Sequence, residues 1–116
     1  KHLNAIREAL AIPPGAETGT WRYIPRKRDK QEGAQIDLLF DRNDGVITLC
    51  EIKYSSSPFI IDKTVAKNLL NKADTFKEQT KTSKQIFISM IAANGVKPNL
   101  YSEDLINGVA ALEDLF

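Results

Sequence analysis

The sequence predicts an α/β fold: a mixed β-sheet flanked by helices, with elements in the order αβββαβ. Three observations carry this. Two apolar stretches, Ala34 to Asp41 and Val46 to Tyr54, are rich in Ile, Leu, Val and Phe and flank the turn signal Arg42-Asn43-Asp44-Gly45, the pattern of a β-hairpin. The segment "IDKTVAKNLLNKADTFKEQT" then sets Val65, Leu69, Ala73 and Phe76 on one helical face,. A further apolar run, "KQIFISMI", follows that helix and reads as a buried strand,.

The elements follow in order. In "HLNAIREALAI" the residues Leu3, Ile6 and Leu10 share a helical face with Ala5 and Ala9 beside it, and Pro13-Pro14-Gly15 stops the helix,. "TWRYIP" alternates as a short strand that Pro25 ends,. After the hairpin and "SSSP", Asp62 is placed to cap the second helix, of about four turns,. Beyond the "KQIFISMI" strand, a loop through Asn94-Gly95 and Pro98 leads to a short helix in "SEDLIN" that Ser102 could cap. "GVAALEDLF" closes the chain as a strand and a terminal turn.

At 116 residues the chain has room for one domain,. Its net charge of +1 excludes a strongly basic protein, so any affinity for nucleic acid must come from how charge is distributed,. One stretch is locally basic: "WRYIPRKRDK" holds Arg22, Arg26, Lys27, Arg28 and Lys30 against Asp29 alone. It reads either as a solvated loop or as an edge that contacts phosphates. The single Cys50 cannot form an internal disulfide, which suits a reducing compartment and predicts a cytoplasmic protein,. No apolar run approaches the ~18 residues of a membrane span. The chain opens on Lys1 with helical patterning almost at once, which predicts a fragment whose upstream neighbour is missing.

The hairpin carries charges where a core should form. If its loop is Asn43-Asp44-Gly45, with Gly45 left-handed, then Arg42 faces Val46, and counting outwards pairs 40 with 48, 38 with 50 and 37 with 51. Asp37 would lie opposite Glu51, and Lys53 would join that face by strand periodicity. Two converging carboxylates repel, and a hard divalent cation resolves the conflict. A lysine beside that ion stands where a phosphoryl transition state gathers negative charge. A two-residue loop centred on Asp44-Gly45 pairs 38 with 51 instead, turns Asp37 to the opposite face and dissolves the site.

"QIDLLFDR" followed by "LCEIKYS" resembles the core of the PD-(D/E)XK nuclease superfamily, in which an acid on one strand precedes Glu-x-Lys on the next. The predicted order of elements is also similar to that superfamily's restriction-endonuclease-like core. More narrowly, "GAQIDLLFDRNDGVITLCEIKYSSSPFIIDK", "AANGVKPNLYS" and the closing "LEDLF" resemble the C-terminal region of a group of prokaryotic AAA-type ATPases. The likeness covers about Gln35 to Phe116. It implies that residues 1–116 form a single nuclease-like domain attached to an upstream ATP-binding module. It further implies that Asp37, Glu51 and Lys53 are catalytic, and that Asp37, Glu51 and the main-chain carbonyl of Ile52 hold Mg²⁺ or Mn²⁺. The substrate would be a DNA phosphodiester, with Arg22, Arg26, Lys27 and Arg28 contacting the nucleic acid.

One departure favours a rival: a catalytically inactive module of the same fold that binds DNA or a protein partner and serves the ATPase. Such folds usually add an acid from the first helix, and Glu8, the one acid there, lies well round from the Leu3, Ile6 and Leu10 face. The remaining candidates read more plainly. His2 has no second His or Cys at metal spacing and reads as a helix residue,. Cys50 alternates away from Glu51 and should be buried and inert. Lys72 and Gln79 read as solvated helix positions, although helices beside such sites often add a polar side chain. Tyr54, Ser55 and Ser56 fall on an exposed loop just past Lys53. No Gly-rich phosphate loop is present, so this chain is not itself the ATPase,.

Overall fold

The computed structural model describes residues 3–28, 32–111 and 113. It shows an α/β fold in the order α1 (Leu3–Ala9), β1 (Glu17–Tyr23), β2 (Ala34–Asp41), β3 (Val46–Lys53), α2 (Lys63–Thr80), β4 (Gln85–Ala92), α3 (Leu100–Leu105) and β5 (Ile106–Ala110). The five strands form one mixed sheet in the order β1-β2-β3-β4-β5. The first three are antiparallel, and β4 and β5 each run parallel to the strand before them. Among the described residues no helix is long and apolar enough to cross a membrane. His2, Asp29, Lys30 and most of "LEDLF" lie outside the described residues.

Alternation along the strands divides the sheet into two apolar faces. Phe40, Cys50, Ile91 and Ala110 point to one face and pack with Leu10 and, from α1, Leu3, Ile6 and Ala9. Ile36, Leu39, Ile47 and Leu49 point to the other and pack with Phe76 of α2 and half-buried Trp21. Ala66 and Leu69 of α2 cover Ile88 and Met90 farther along the same face. Burying a side chain the size of Leu69 or Phe76 is worth about 1.5–3 kcal/mol, so a few such contacts suffice to dock α2. Asp62 caps that helix as expected, its carboxylate accepting the Val65 amide at 2.9 Å.

The hairpin register follows from its loop. Gly45 takes φ +85°, and the Arg42 amide donates to the Val46 carbonyl at 3.0 Å. Phe40 therefore pairs with Thr48 and Leu38 with Cys50, the three-residue alternative of the two that the sequence leaves open. Arg42 also donates to Asp44 at 2.6 Å and, beside it, holds the Asp44 carboxyl below its usual range.

Beyond Leu38 the strand departs from strict alternation. β1 pairs Gly19 with Leu39 but Trp21 with Ile36, so Asp37 and Leu38 together face the single Thr20. Two residues against one make a β-bulge. Its effect shows in the packing, since Ile36 and Leu39 share the α2 side of the sheet while Leu38 packs on the α1 side.

The third helix is capped by Asn99 rather than Ser102. The two residues form a reciprocal box in which Asn99 accepts the Ser102 amide at 2.8 Å and the Ser102 hydroxyl accepts the Asn99 amide at 2.9 Å,. Ser102 is thus the third helical residue, and the helix begins at Leu100.

Cys50 is 4% exposed, and burial pushes its thiol up to about 12. The thiolate is the reactive form, so a thiol-specific reagent at pH 8 should leave the folded chain unmodified and label it fully in urea. Labelling of the folded chain at the rate of a free thiol would contradict this core.

Candidate functional site

The C-terminal end of β3 carries Glu51 and Lys53 on the α2 side of the sheet, two and four residues beyond Leu49,. The parallel pairing of Glu51 with Met90 and of Lys53 with Ala92 holds this end against β4. From above, α2 lowers Lys72 onto it. The Lys72 ammonium lies 3.2 and 3.0 Å from the two oxygens of Glu51, and the Lys53 ammonium lies 3.6 Å from the first of them. The Lys53 ammonium also sits 5.8 Å from the centre of the Phe59 ring, within cation–π range.

These groups border an open crevice of about 220 Å³ between β3 and α2. Asn68, Asn71 and Thr75 line its helical wall, and Glu32 and Gly33 its far lip. Gly33 also borders a shallow groove shared with Arg22, Tyr23 and Pro25. The chain passes closely there, since a side-chain carbon on Gly33 would stand 3.2 Å from both the Tyr23 carbonyl and Pro25. The basic segment therefore starts at the lip of the crevice. Arg22, Arg26, Lys27 and Arg28 are all exposed.

Asp37 does not join Glu51. It is exposed, its carboxylate accepts a hydrogen bond from the Gln35 side chain at 2.8 Å, and it is not part of the crevice lining. The bulge is the reason. One extra residue in β2 advances Ile36 to the position the register gave to Asp37, and Ile36 now borders the same small hollow as Glu51, Leu69 and Lys72,. Gln35 precedes Ile36 on the pleat and points the other way, and the bond from Gln35 holds Asp37 with it. Expecting Asp37 opposite Glu51 is thus corrected at the last step of the count, although the hairpin pairing beneath it is as expected.

Lys72, expected to be a solvated helix position, is the residue that fills the gap. Its sequence position carries a signal. It stands three residues after Leu69 and four before Phe76, both buried, so it flanks the apolar stripe and its stem can run down towards the sheet,. Gln79 is exposed about two turns farther on and is not part of the crevice lining,. Glu8 is exposed on α1, across the sheet. Ile52, between Glu51 and Lys53, packs its side chain towards α1.

The donor set does not suit Mg²⁺ or Mn²⁺ as arranged. Such ions take carboxylate and carbonyl oxygens, whereas Glu51 is shared by two ammonium groups and Glu32 stands apart at the far lip. Among the described residues no group of three His, Cys, Asp or Glu side chains could hold a metal. Around Glu51 the two lysines leave one positive charge over, and Glu32 at the far lip offsets it across the crevice as a whole, so the excess is confined to the lysine end. Both lysines are about one-third exposed, and ion pairs at that exposure are worth about 1 kcal/mol at most. The pairs therefore hold the two ammonium groups only weakly.

No family model, curated protein or solved structure gives a match to this chain.

Proposed function

We propose that the chain is a nuclease-fold domain that docks DNA through its backbone phosphates without cutting it, and that it serves the AAA-type ATPase whose C-terminal region its motifs resemble. One observation carries the reading: Lys53 and Lys72 meet on Glu51 at the place where hydrolysis would need a second carboxylate and a metal. Arg22 lines the groove next to the Gly33 lip, and the exposed Arg26, Lys27 and Arg28 follow it closely in the chain, a local concentration of positive charge of the kind a near-neutral chain needs to attract a polyanion.

A second reading, a metal-dependent PD-(D/E)XK nuclease, is favoured by a different observation. Glu51 and Lys53 stand together at an open crevice on the strand where that superfamily places its Glu-x-Lys, and Asp37 is one residue out of step. In that reading Asp37, Glu51 and the Ile52 carbonyl would hold Mg²⁺ or Mn²⁺, which supplies Lewis-acid chemistry at the phosphate.

Two assays on the same sample decide between them. Plasmid incubated with Mn²⁺ or Mg²⁺ should stay supercoiled with both the wild-type chain and Lys53→Ala. A gel shift across a salt series should show DNA retained at low salt and released as salt rises, because bound cations displace counterions. Cleavage by the wild type that disappears in Lys53→Ala establishes the hydrolase. Absence of both cleavage and retention at any salt removes both readings and leaves a domain that only assembles or regulates the ATPase.

A further inference from the structure

Tyr54 is 90% exposed. A lone apolar side chain on a surface is ordinary, and Ile24 at 69% or Leu100 at 74% calls for no more comment. Two further facts set Tyr54 apart. It follows Lys53, which lines the crevice, directly in the chain, while its own side chain is not part of that lining. The backbone around it is also fixed: the Lys53 carbonyl accepts from the Ala93 amide, and the Ser55 carbonyl from the Asn94 side chain. The same loop is tied again at Phe59, whose amide donates to the Gly95 carbonyl at 2.9 Å and whose carbonyl accepts from the Lys97 amide at 2.8 Å. The ring therefore projects into water from a braced support.

Resting on the DNA-docking reading, we infer that Tyr54 is a stacking platform for an unpaired base, and that the DNA taken by this domain is single-stranded at the crevice. Successive Cα atoms lie about 3.8 Å apart, so Tyr54, the first residue past β3, starts within one residue's reach of the lysine that lines the crevice,. A phosphate held by Lys53 and Lys72 on the α2 side thus leaves its nucleotide's base free to swing over the sheet end onto Tyr54. A duplex cannot use this ring, because its bases already stack on one another and offer only their edges in the grooves. A single strand gains from it, since an aromatic platform beside a cationic groove binds any base through its face. A braced backbone adds to the effect, because little freedom is lost when the ring is covered.

Fluorescence anisotropy with a labelled oligothymidylate and a blunt duplex of equal phosphate number tests the inference on the whole chain. The wild type should bind the single strand more tightly. Tyr54→Ala should lose about tenfold to a hundredfold on the single strand and leave the duplex affinity unchanged. Tyr54→Trp should keep the affinity, with quenching of the new indole emission when the oligonucleotide binds. At 90% exposure neither variant should disturb the fold, and an unchanged circular-dichroism melt checks this. Equal losses on both DNAs, or an unchanged single-strand affinity in Tyr54→Ala, overturn the stacking role while DNA docking stands. A wild type that binds neither oligonucleotide removes docking and stacking together.

Discussion

Phe40→Ala is expected to lower the free energy of unfolding by about 3–5 kcal/mol, the largest loss of stability foreseen for any single substitution considered. Phe40 is fully buried at the centre of the α1 side of the sheet, against Leu10, Cys50, Ile91 and Ala110. Its ring also carries the Arg7 guanidinium, 5.2 Å from the ring centre, and Arg7 in turn donates to the Ala16 carbonyl at 2.9 Å. Truncation removes buried apolar surface, leaves a cavity and takes away the surface on which Arg7 rests. Domains of this size are stable by about 5–15 kcal/mol in all, so the variant should be at the margin of folding. At a denaturant slope of about 2 kcal/mol per M, the urea midpoint should fall by roughly 2 M. A fall of a few tenths would mean that the sheet and α1 are not packed as described.

The second large effect concerns binding. Lys53→Ala with Lys72→Ala leaves Glu51 without either ammonium and makes the crevice negative, with Glu32 at its lip. Each lysine–phosphate contact adds about 0.9 to the logarithmic salt slope. The double variant should therefore bind DNA on the order of 50-fold more weakly at 0.1 M salt and show a slope shallower by about 1.8. Either single variant should fall between, since Glu51 keeps one partner. Stability should change little, because the pairs are partly solvated. A double variant with an unaltered salt slope would show that DNA docks elsewhere on the domain.

What could be read from the residues and what could not divides along a physical line. The hairpin offset was legible down to two choices because it depends on a few consecutive residues: Gly45 suits either loop, and the Arg42–Val46 hydrogen bond, which pairs 40 with 48, selects the three-residue one,. The faces of α2 were legible for the same reason, since period and cap lie within one segment. The turn of Asp37 was not, because the bulge arises between β2 and β1, where Thr20 must face two residues. Nothing within "QIDLLF" alone records that. Lys72 depended on how a helix crosses a sheet, which its sequence bounds but does not set. The cap of α3 was misplaced by three residues because Asn99 and Ser102 bond reciprocally, and either could begin such a box.

The strands lie across the sheet in the same sequence in which they occur along the chain. Every pairing thus joins segments that leave the ribosome one after another, and each new strand meets an open edge of what has already formed. β1, β2 and β3 can close their antiparallel meander before α2 is translated, and β5, last to emerge, only extends the border. Within the sheet, vectorial synthesis and the native architecture run in one direction; the exception is α1 with Leu10, which packs against Ala110 of β5 and so completes its contacts when the last strand arrives,.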